Sequence, residues 1–183
     1  MDEWFFVAFG LIFFAIAAVA YFVFASFAYG AGYQPTPRRS VEAMLRLAEV
    51  GPNDTVYDLG AGTGAIVFRA ARTYRAHVLG VEVEPIRVGI LRARRLLGPL
   101  GDRITIRWGN LFGLDFRPAT VVTAFLWPGA MVRLKPKLEA ELRVGARVVS
   151  HCHPIVGWTA EVYDAETDVY LYRRPAHVTS GGT

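Results

Sequence analysis

The sequence TVYDLGAGTGAIVF, residues 55–68, joins an apolar, β-branched run to a helical pattern through a loop with three glycines. The run predicts a buried strand, and the apolar spacing after the loop predicts a helix. Predicted strands and helices then alternate to about residue 150, with short connections between them. Such alternation builds a parallel sheet through right-handed crossovers, with helices on both faces. Ligands bind such sheets beyond the carboxyl ends of the strands, which is where the glycine loop lies.

The glycine loop has the spacing G-x-G-x-x-[G/A], which by itself suggests a dinucleotide. Asp58, two residues before the loop, argues against a pyrophosphate because two negative charges would meet there. S-adenosyl-L-methionine carries an ammonium, a sulfonium and a ribose but no phosphate, so we expect it as the cofactor. An NAD-dependent enzyme is the alternative. Glycines admit a ligand close to the backbone, and the predicted cofactor-binding residues here are Asp58, Gly60, Ala61, Gly62 and Gly64.

The second predicted strand supports a nucleoside ligand. Glu82 stands near the end of VLGVEVEP, 20 residues after Gly62, and an acid at that place can accept both ribose hydroxyls. Val83 is then expected against the adenine. Glu84 is the alternative ribose acid. With Glu82 in this role, an alanine at position 84 is expected to have little effect on cofactor binding.

The N-terminal segment predicts a transmembrane helix. From Trp4 to Pro37 there is no charged residue. As a helix with a rise of about 1.5 Å per residue, the apolar part is longer than the roughly 30 Å thickness of the hydrocarbon core. A cleaved signal peptide fits less well, because the first residues are acidic and the apolar run is too long. A buried core helix is the other alternative. Arg38 and Arg39 follow the segment, so the N-terminus is expected outside and the remainder in the cytoplasm.

Composition limits the possible partners. The formal net charge is +4, from 18 arginines and 2 lysines against 16 acidic residues. This excess suits a surface held near anionic lipid, whereas no run of basic residues interleaved with aromatics suggests nucleic-acid binding. The single Cys152 excludes an internal disulfide and fits a reducing compartment.

Later segments complete the predicted sheet. Residues 120–127 and 146–152 are expected to be strands four and five, and residues 158–164 and 168–174 could pair as a closing hairpin. Period two on strand five would put His151 and His153 on one face and Cys152 on the other. A metal site there is disfavoured because no second pair of ligands has matching spacing, and we expect none.

Residues 33 to about 175 resemble the class I S-adenosylmethionine-dependent methyltransferases, through DLGAGTGA and the acid on strand two. The resemblance implies an α/β Rossmann-like fold with a seven-stranded, mostly parallel sheet whose last strand is antiparallel. It also implies an adenine contact after strand three. Members usually have an acid there, whereas this chain has Asn110, followed by Leu111.

A narrower resemblance joins YQPTPRRSVEAMLRLAEVGPNDTVYDLGAGTGA, GVEVEP and VVTAFLWPGAMVRLKPKLEAELRVGARVVSH to the small membrane-anchored protein-lysine methyltransferases. That family includes the enzymes acting on the ATP synthase c subunit and the adenine nucleotide translocator. It implies a protein substrate methylated on lysine, with membrane proteins among the candidate substrates. The alternatives are methylation of a lipid or small amphiphile, and a non-catalytic cofactor-binding membrane protein. The implied organisation is an anchor at 1–30, a linker at 31–37, a methyltransferase domain at 38–176 and a frayed tail at 177–183.

The resemblance also locates an acceptor side. Class I enzymes keep an acceptor-binding loop after strand four, here AFLWPG, where Trp127 and Pro128 could wall a lysine channel. His151 could receive the acceptor's proton, or be a satisfied polar residue at a strand end. Tyr33 and Thr36, in the Pro-Thr-Pro segment, could cover the cofactor mouth, or belong to a rigid extended linker.

Overall fold

The computed structural model describes residues 3–28 and 34–174; for residues 3 and 22–28 only the backbone is described. The chain divides into two compact units, residues 1–34 and 35–183. The first contains α1 (Glu3–Ala28). Within it, Trp4–Tyr21 is long and apolar enough to cross a membrane, a property that signal sequences share, and none of these residues is buried. The lack of burial argues against the core-helix alternative.

The second unit is the predicted α/β sheet. Its helices are α2 (Arg38–Leu47), α3 (Ala65–Thr73), α4 (Pro85–Leu96) and α5 (Pro128–Glu141). Its strands are β1 (Thr55–Leu59), β2 (His77–Glu82), β3 (Ile104–Trp108), β4 (Val121–Ala124), β5 (Arg147–His151), β6 (Val162–Asp164) and β7 (Val169–Arg173). The strand order is β3-β2-β1-β4-β5-β7-β6. Strands β1 to β5 are parallel, and β7 is antiparallel to both β5 and β6. The fold prediction, including the closing hairpin, is confirmed.

Successive residues of a strand point to opposite faces of the sheet, and each face has its own hydrophobic core. Val56 packs with Met44, Val67 and Leu91 of the helices α2 to α4, whereas Tyr57 packs with residues of α5. Burying one such aliphatic side chain contributes about 1.5–3 kcal/mol. Helices α4 and α5 therefore lie on opposite sides of the sheet.

Two predicted strands end earlier than expected. The expected strand over 120–127 ends at Ala124, because the registers with both neighbouring strands end there. The expected strand over 146–152 ends at His151, since Cys152 adopts a left-handed φ of 62° and the His153 amide donates to the His151 carbonyl at 2.8 Å. The prediction that His151 and His153 share one strand face is therefore wrong. Residues 29–33 and 175–183 lie outside the described residues, and with them the predictions on Tyr33 and the tail.

A polar network holds the amino-terminal edge of the sheet together. Asp54 Oδ1 accepts from the Thr120 hydroxyl at 2.7 Å and from the Arg147 guanidinium. Its Oδ2 accepts from the Gly51 amide at 2.8 Å, and Arg147 Nη1 donates to the Ala48 carbonyl at 2.6 Å. These bonds join the end of α2 to the starts of β1, β4 and β5, opposite the edge that carries the glycine loop.

Replacing Arg147 with methionine is expected to lower the free energy of unfolding by about 3 kcal/mol, because Asp54 would keep a buried charge without its partner. Urea denaturation measures this loss. Arg173→Met is the matched control, since the Arg173–Glu161 pair is about half-exposed and its loss should cost less than about 1 kcal/mol. Equal losses in the two variants would contradict a stabilising role for the network.

Candidate active site

The glycine loop needs its glycines for two physical reasons. Gly60, Gly62 and Gly64 have φ values of 78°, 54° and 91°, in the left-handed region that other residues rarely adopt. A Cβ on Gly64 would also lie 2.5 Å from the Phe68 ring and 2.6 Å from Leu91. The Gly60 and Ala61 amides both donate to the Val81 carbonyl, at 3.0 and 2.9 Å. The loop therefore turns tightly over the end of β2.

Asp58 is buried at the carboxyl end of β1. Its Oδ1 accepts a 2.8 Å hydrogen bond from the hydroxyl of Thr123, its register neighbour on β4. Burial raises the pKa of Asp58 to about 7; the bond from Thr123 lowers it, and the charge of Glu82 raises it further. A cationic ligand group arriving here would offset that cost of ionisation.

This pKa predicts pH-dependent binding of S-adenosyl-L-homocysteine. Because burial raises the pKa from 3.8 to about 7, the stability that the protonated carboxyl contributes is lost as pH rises through about 7. The ionised carboxylate then attracts the ligand ammonium, which stays protonated below about pH 7.7. Affinity measured by calorimetry should rise between pH 5.5 and 7, by up to about tenfold per unit, and then level off. Asp58→Asn should bind weakly with a flat profile; a flat wild-type profile would contradict the assignment.

Glu82 points its carboxylate at the glycine loop. Its Oε2 accepts from the Gly62 amide at 2.8 Å, and its Oε1 accepts from the amides of Val83 and Glu84, both at 3.0 Å. The buried Arg87 guanidinium lies 4.0 Å from Oε1. Three backbone donors thus fix the carboxylate beside the loop. Neither Arg87 nor Thr123 was identified from the sequence, since only tertiary packing brings them here.

Glu84, which the sequence suggested as the alternative ribose acid, caps a helix in the structure. It is the N-cap of α4, and its carboxylate accepts from the Ile86 and Arg87 amides at 2.9 and 2.8 Å. The side chain is fully buried, so alanine at position 84 would remove a helix cap. The expectation that this substitution has little effect on cofactor binding stays a prediction.

The part of the site formed by the carboxyl end of β3 and the residues that follow it is partly aromatic. Trp108, the register neighbour of Glu82, donates its indole N–H to the Val83 carbonyl at 3.0 Å. Its ring is largely exposed, and sequence analysis did not identify it. Asn110 is exposed and its Oδ1 accepts from the Phe112 amide at 3.0 Å, capping the short 3₁₀ helix Leu111–Gly113. One lone pair of the Asn110 carbonyl is thus already used.

The loop after β4 meets the glycine loop. A Cβ on Gly60 would lie 3.3 Å from Leu126, so the two loops are in contact. Pro128 occupies the first turn of α5, and Trp127 precedes it as the N-cap residue with its side chain 55% exposed. The two predicted acceptor-side residues therefore lie at the edge of the sheet that carries Asp58 and Glu82.

His151 is buried beside this loop. Its ring lies 4.5 Å from the ring of Phe125, and its Nδ1 is 3.1 Å from the Asp168 carbonyl. A carbonyl only accepts, so Nδ1 carries the proton and Nε2 is left as an acceptor. Cys152 Sγ lies 3.4 Å from Nε2. Among the described residues, no group of three or more histidine, cysteine or acidic side chains is arranged to hold a metal ion.

Thr36 lies two residues before α2 and is half-buried. Its part in covering the cofactor mouth stays a prediction.

The strand order, the glycine loop and the two buried acids at the carboxyl edge define a class I S-adenosylmethionine-dependent methyltransferase. The model of the ANTKMT methyltransferase domain matches residues 58–162, more than half of the sequence. The chain belongs to this methyltransferase family, as the sequence resemblance predicted.

Relatives and solved structures agree with this assignment. The chain is 42% identical to a protein-lysine N-methyltransferase of Saccharolobus islandicus, over 76% of this chain and 91% of that protein. It is 34% identical to the adenine nucleotide translocase lysine N-methyltransferase of mouse, over 76% of this chain but 62% of the mouse enzyme. A crystal structure of an RNA methyltransferase from Salinibacter ruber with S-adenosyl-L-homocysteine superposes with a TM-score of 0.77 and 39% identity, over 80% of this chain and 97% of that one. S-adenosyl-L-methionine is the cofactor of this fold and family.

Proposed function

We propose that this protein is a membrane-anchored protein-lysine N-methyltransferase. The observation that carries the proposal is the 42% identity to a protein-lysine N-methyltransferase, which extends over 91% of that protein's length. The name of the mouse relative supports it, because that enzyme acts on a lysine of the adenine nucleotide translocase. The chain spans 62% of the mouse enzyme, so its own acceptor is a separate question.

The residues at the carboxyl edge fit S-adenosyl-L-methionine. Gly60, Gly62 and Gly64 have left-handed φ values and no Cβ, so the loop backbone can approach a ligand closely. Asp58 would hold the ammonium, and Glu82 would accept the ribose hydroxyls. Val83, Asn110 and Leu111 would border the adenine. When bound, the cofactor supplies an electrophilic methyl group to a nucleophile in an in-line displacement.

The acceptor lysine must be neutral to act as a nucleophile. Its ordinary pKa is about 10.4, and removal from water lowers that value. Trp127 and Phe125, with Pro128 beside them, would form an apolar, aromatic entrance that excludes water. An indole face also attracts the incoming ammonium before its proton is lost. This chain would thus select and desolvate the amine, and position it for transfer.

His151 would take up the acceptor's proton. The Asp168 carbonyl holds its Nδ1–H, which leaves the Nε2 lone pair as the acceptor and fixes the ring against Phe125. A histidine with one nitrogen fixed by a carbonyl is suited to this role.

Helix α1 would serve as a single transmembrane anchor. Its Trp4–Tyr21 segment has the length and composition to cross a bilayer. Arg38 and Arg39 after it favour the cytoplasmic side for the catalytic unit. Anchoring would raise the concentration of the enzyme near membrane-protein acceptors.

Substituting Trp127 with alanine is expected to raise the KM for a lysine-containing acceptor by about five- to thirtyfold, through loss of roughly 1–2 kcal/mol of cation–π and packing energy. The affinity for S-adenosyl-L-homocysteine should stay unchanged. Trp127→Phe, which keeps an aromatic face, is the matched control and should recover most of the loss. Steady-state kinetics with calorimetry measures both quantities, and a change in cofactor affinity alone would contradict the acceptor role.

Transfer of a radiolabelled methyl group to native membranes tests the proposed function. The purified full chain is incubated with labelled S-adenosyl-L-methionine, membranes and the soluble fraction, and the label is separated into protein, organic extract and RNA. Label in protein bands, lost with Glu82→Ala, supports the proposal. Label in the organic extract would favour a lipid acceptor, and label in RNA would favour the activity named for the Salinibacter ruber protein. No transfer at all would favour a non-catalytic role.

A further inference from the structure

Helix α4 has an apolar stripe on the side that faces away from the sheet. The helix buries Arg87, Val88 and Leu91 toward the core. Four apolar residues at spacing i, i+4, i+7 and i+11 form its outer side. These residues, named here the outer stripe of α4, are Ile86, Ile90, Ala93 and the C-cap residue Leu97, of which Ile86, Ile90 and Leu97 are 42%, 37% and 89% exposed. Single exposed aliphatic residues are ordinary, whereas a stripe at helical spacing is a surface.

Arginines border the outer stripe on both sides. At about 100° per residue, Arg94 falls on one flank of the stripe, and Arg92 falls on the other flank beyond the exposed Leu96. The Arg94 guanidinium lies 4.2 Å from the Phe68 ring centroid and donates to the Thr63 carbonyl, which fixes that flank. Residues 85–97 contain no acid and four arginines, of which Arg87 is buried and the other three are exposed. An apolar stripe flanked by basic side chains is the pattern of a helix lying in a membrane interface.

We propose that the outer stripe of α4 rests on an anionic lipid surface, with Arg92 and Arg94 at the level of the headgroups. A second copy of this chain fits poorly, because pairing α4 with itself would set arginines against arginines. A nucleic acid also fits poorly, since the middle of the surface is aliphatic and has no aromatic ring on which a base could stack. Anionic lipid fits both features of this surface, because its acyl chains can contact the outer stripe and its charged headgroups can contact the arginines.

This contact orients the active site. Helix α4 runs back along the sheet from the edge that carries Glu82 to the start of β3. With α4 flat on the lipid, the carboxyl edge of the sheet opens sideways along the membrane surface. On the proposed function, this orientation favours lysines in short segments just outside the bilayer. The docking itself does not depend on the identity of the acceptor.

Site-specific fluorescence in nanodiscs tests the docking with the full chain. In a Cys152→Ser background, a polarity-sensitive fluorophore is attached through Ile90→Cys. The matched control is Val132→Cys, because Val132 is 58% exposed on α5, on the opposite face of the sheet. In discs with anionic lipid we expect a blue-shifted emission and quenching by spin-labelled lipid at position 90, and neither effect at position 132.

The charges are tested in the same discs. Arg92→Gln should lower the ratio of docked to undocked domain about fivefold, because one arginine fewer then attracts the anionic headgroups, and discs of neutral lipid should lower it further. Arg143→Gln, at an exposed arginine beyond α5, should leave the ratio unchanged. Equal quenching at positions 90 and 132, or quenching insensitive to lipid charge and to Arg92→Gln, would overturn the proposal. A blue shift at position 90 that requires two copies of the chain per disc would overturn the proposal in favour of a second copy. A blue shift caused by added RNA in the absence of lipid would overturn it in favour of a nucleic acid.

Discussion

Replacing Glu82 with alanine is expected to weaken binding of S-adenosyl-L-homocysteine by about 1.5–3 kcal/mol, or roughly 10- to 150-fold, because charge-assisted hydrogen bonds to the ribose are removed. The carboxylate is held beside Gly62 by three backbone amides, so its geometry is set before the ligand arrives. Isothermal calorimetry measures the change. Glu82→Gln, which keeps the shape but not the charge, should give an intermediate loss.

Glu84 supplies the matched control. Glu84→Ala should lower the free energy of unfolding by about 0.5–2 kcal/mol through loss of the α4 N-cap, while the folded fraction keeps its affinity for the ligand. Glu82→Ala is thus expected to weaken ligand binding, whereas Glu84→Ala is expected to lower the free energy of unfolding without weakening binding. A loss of binding with Glu84→Ala and none with Glu82→Ala would contradict the assignment of the ribose acid.

Removing residues 1–31 is expected to lower methylation of membrane-embedded acceptors by about 10²–10⁴-fold, because tethering acts through effective concentration. Cofactor affinity and methylation of a soluble peptide should stay unchanged, since α1 and the sheet belong to separate compact units. An unrelated transmembrane helix fused in place of residues 1–31 is the control and should restore activity. A shortened chain that aggregates or fails to bind cofactor would instead make α1 part of the fold.

Much of the arrangement of the candidate site could be predicted because its determinants are local. Asp58, the glycines and the start of α3 follow one another in the chain, and each residue type fits the turn it occupies. Glu82 was predicted from its distance to the loop. The fold followed from the alternation of strands and helices, which limits the possible topologies.

Other features depend on contacts between distant segments. The Thr123 hydroxyl reaches Asp58 only through the pairing of β4 with β1, and Trp108 reaches Val83 only through the pairing of β3 with β2. The sequence predicts later ends for β4 and β5 than the structure has. The pairing with neighbouring strands sets the end of β4, and the left-handed Cys152 sets the end of β5. The outer stripe of α4 has a readable period, but only packing shows which side of the helix faces outward.

Amino-acid analysis of the methylated product tests whether this protein is a lysine methyltransferase, because it identifies the residue that carries the methyl group. Native membranes are labelled by the full chain with radiolabelled S-adenosyl-L-methionine, and the labelled protein is hydrolysed and chromatographed against methylated standards. We expect the label to elute with Nε-methylated lysine, and Glu82→Ala to reduce it about 10- to 150-fold at cofactor concentrations below Kd. Label that elutes with methylated arginine or histidine, or that is found in lipid or RNA and not in protein, would contradict that expectation.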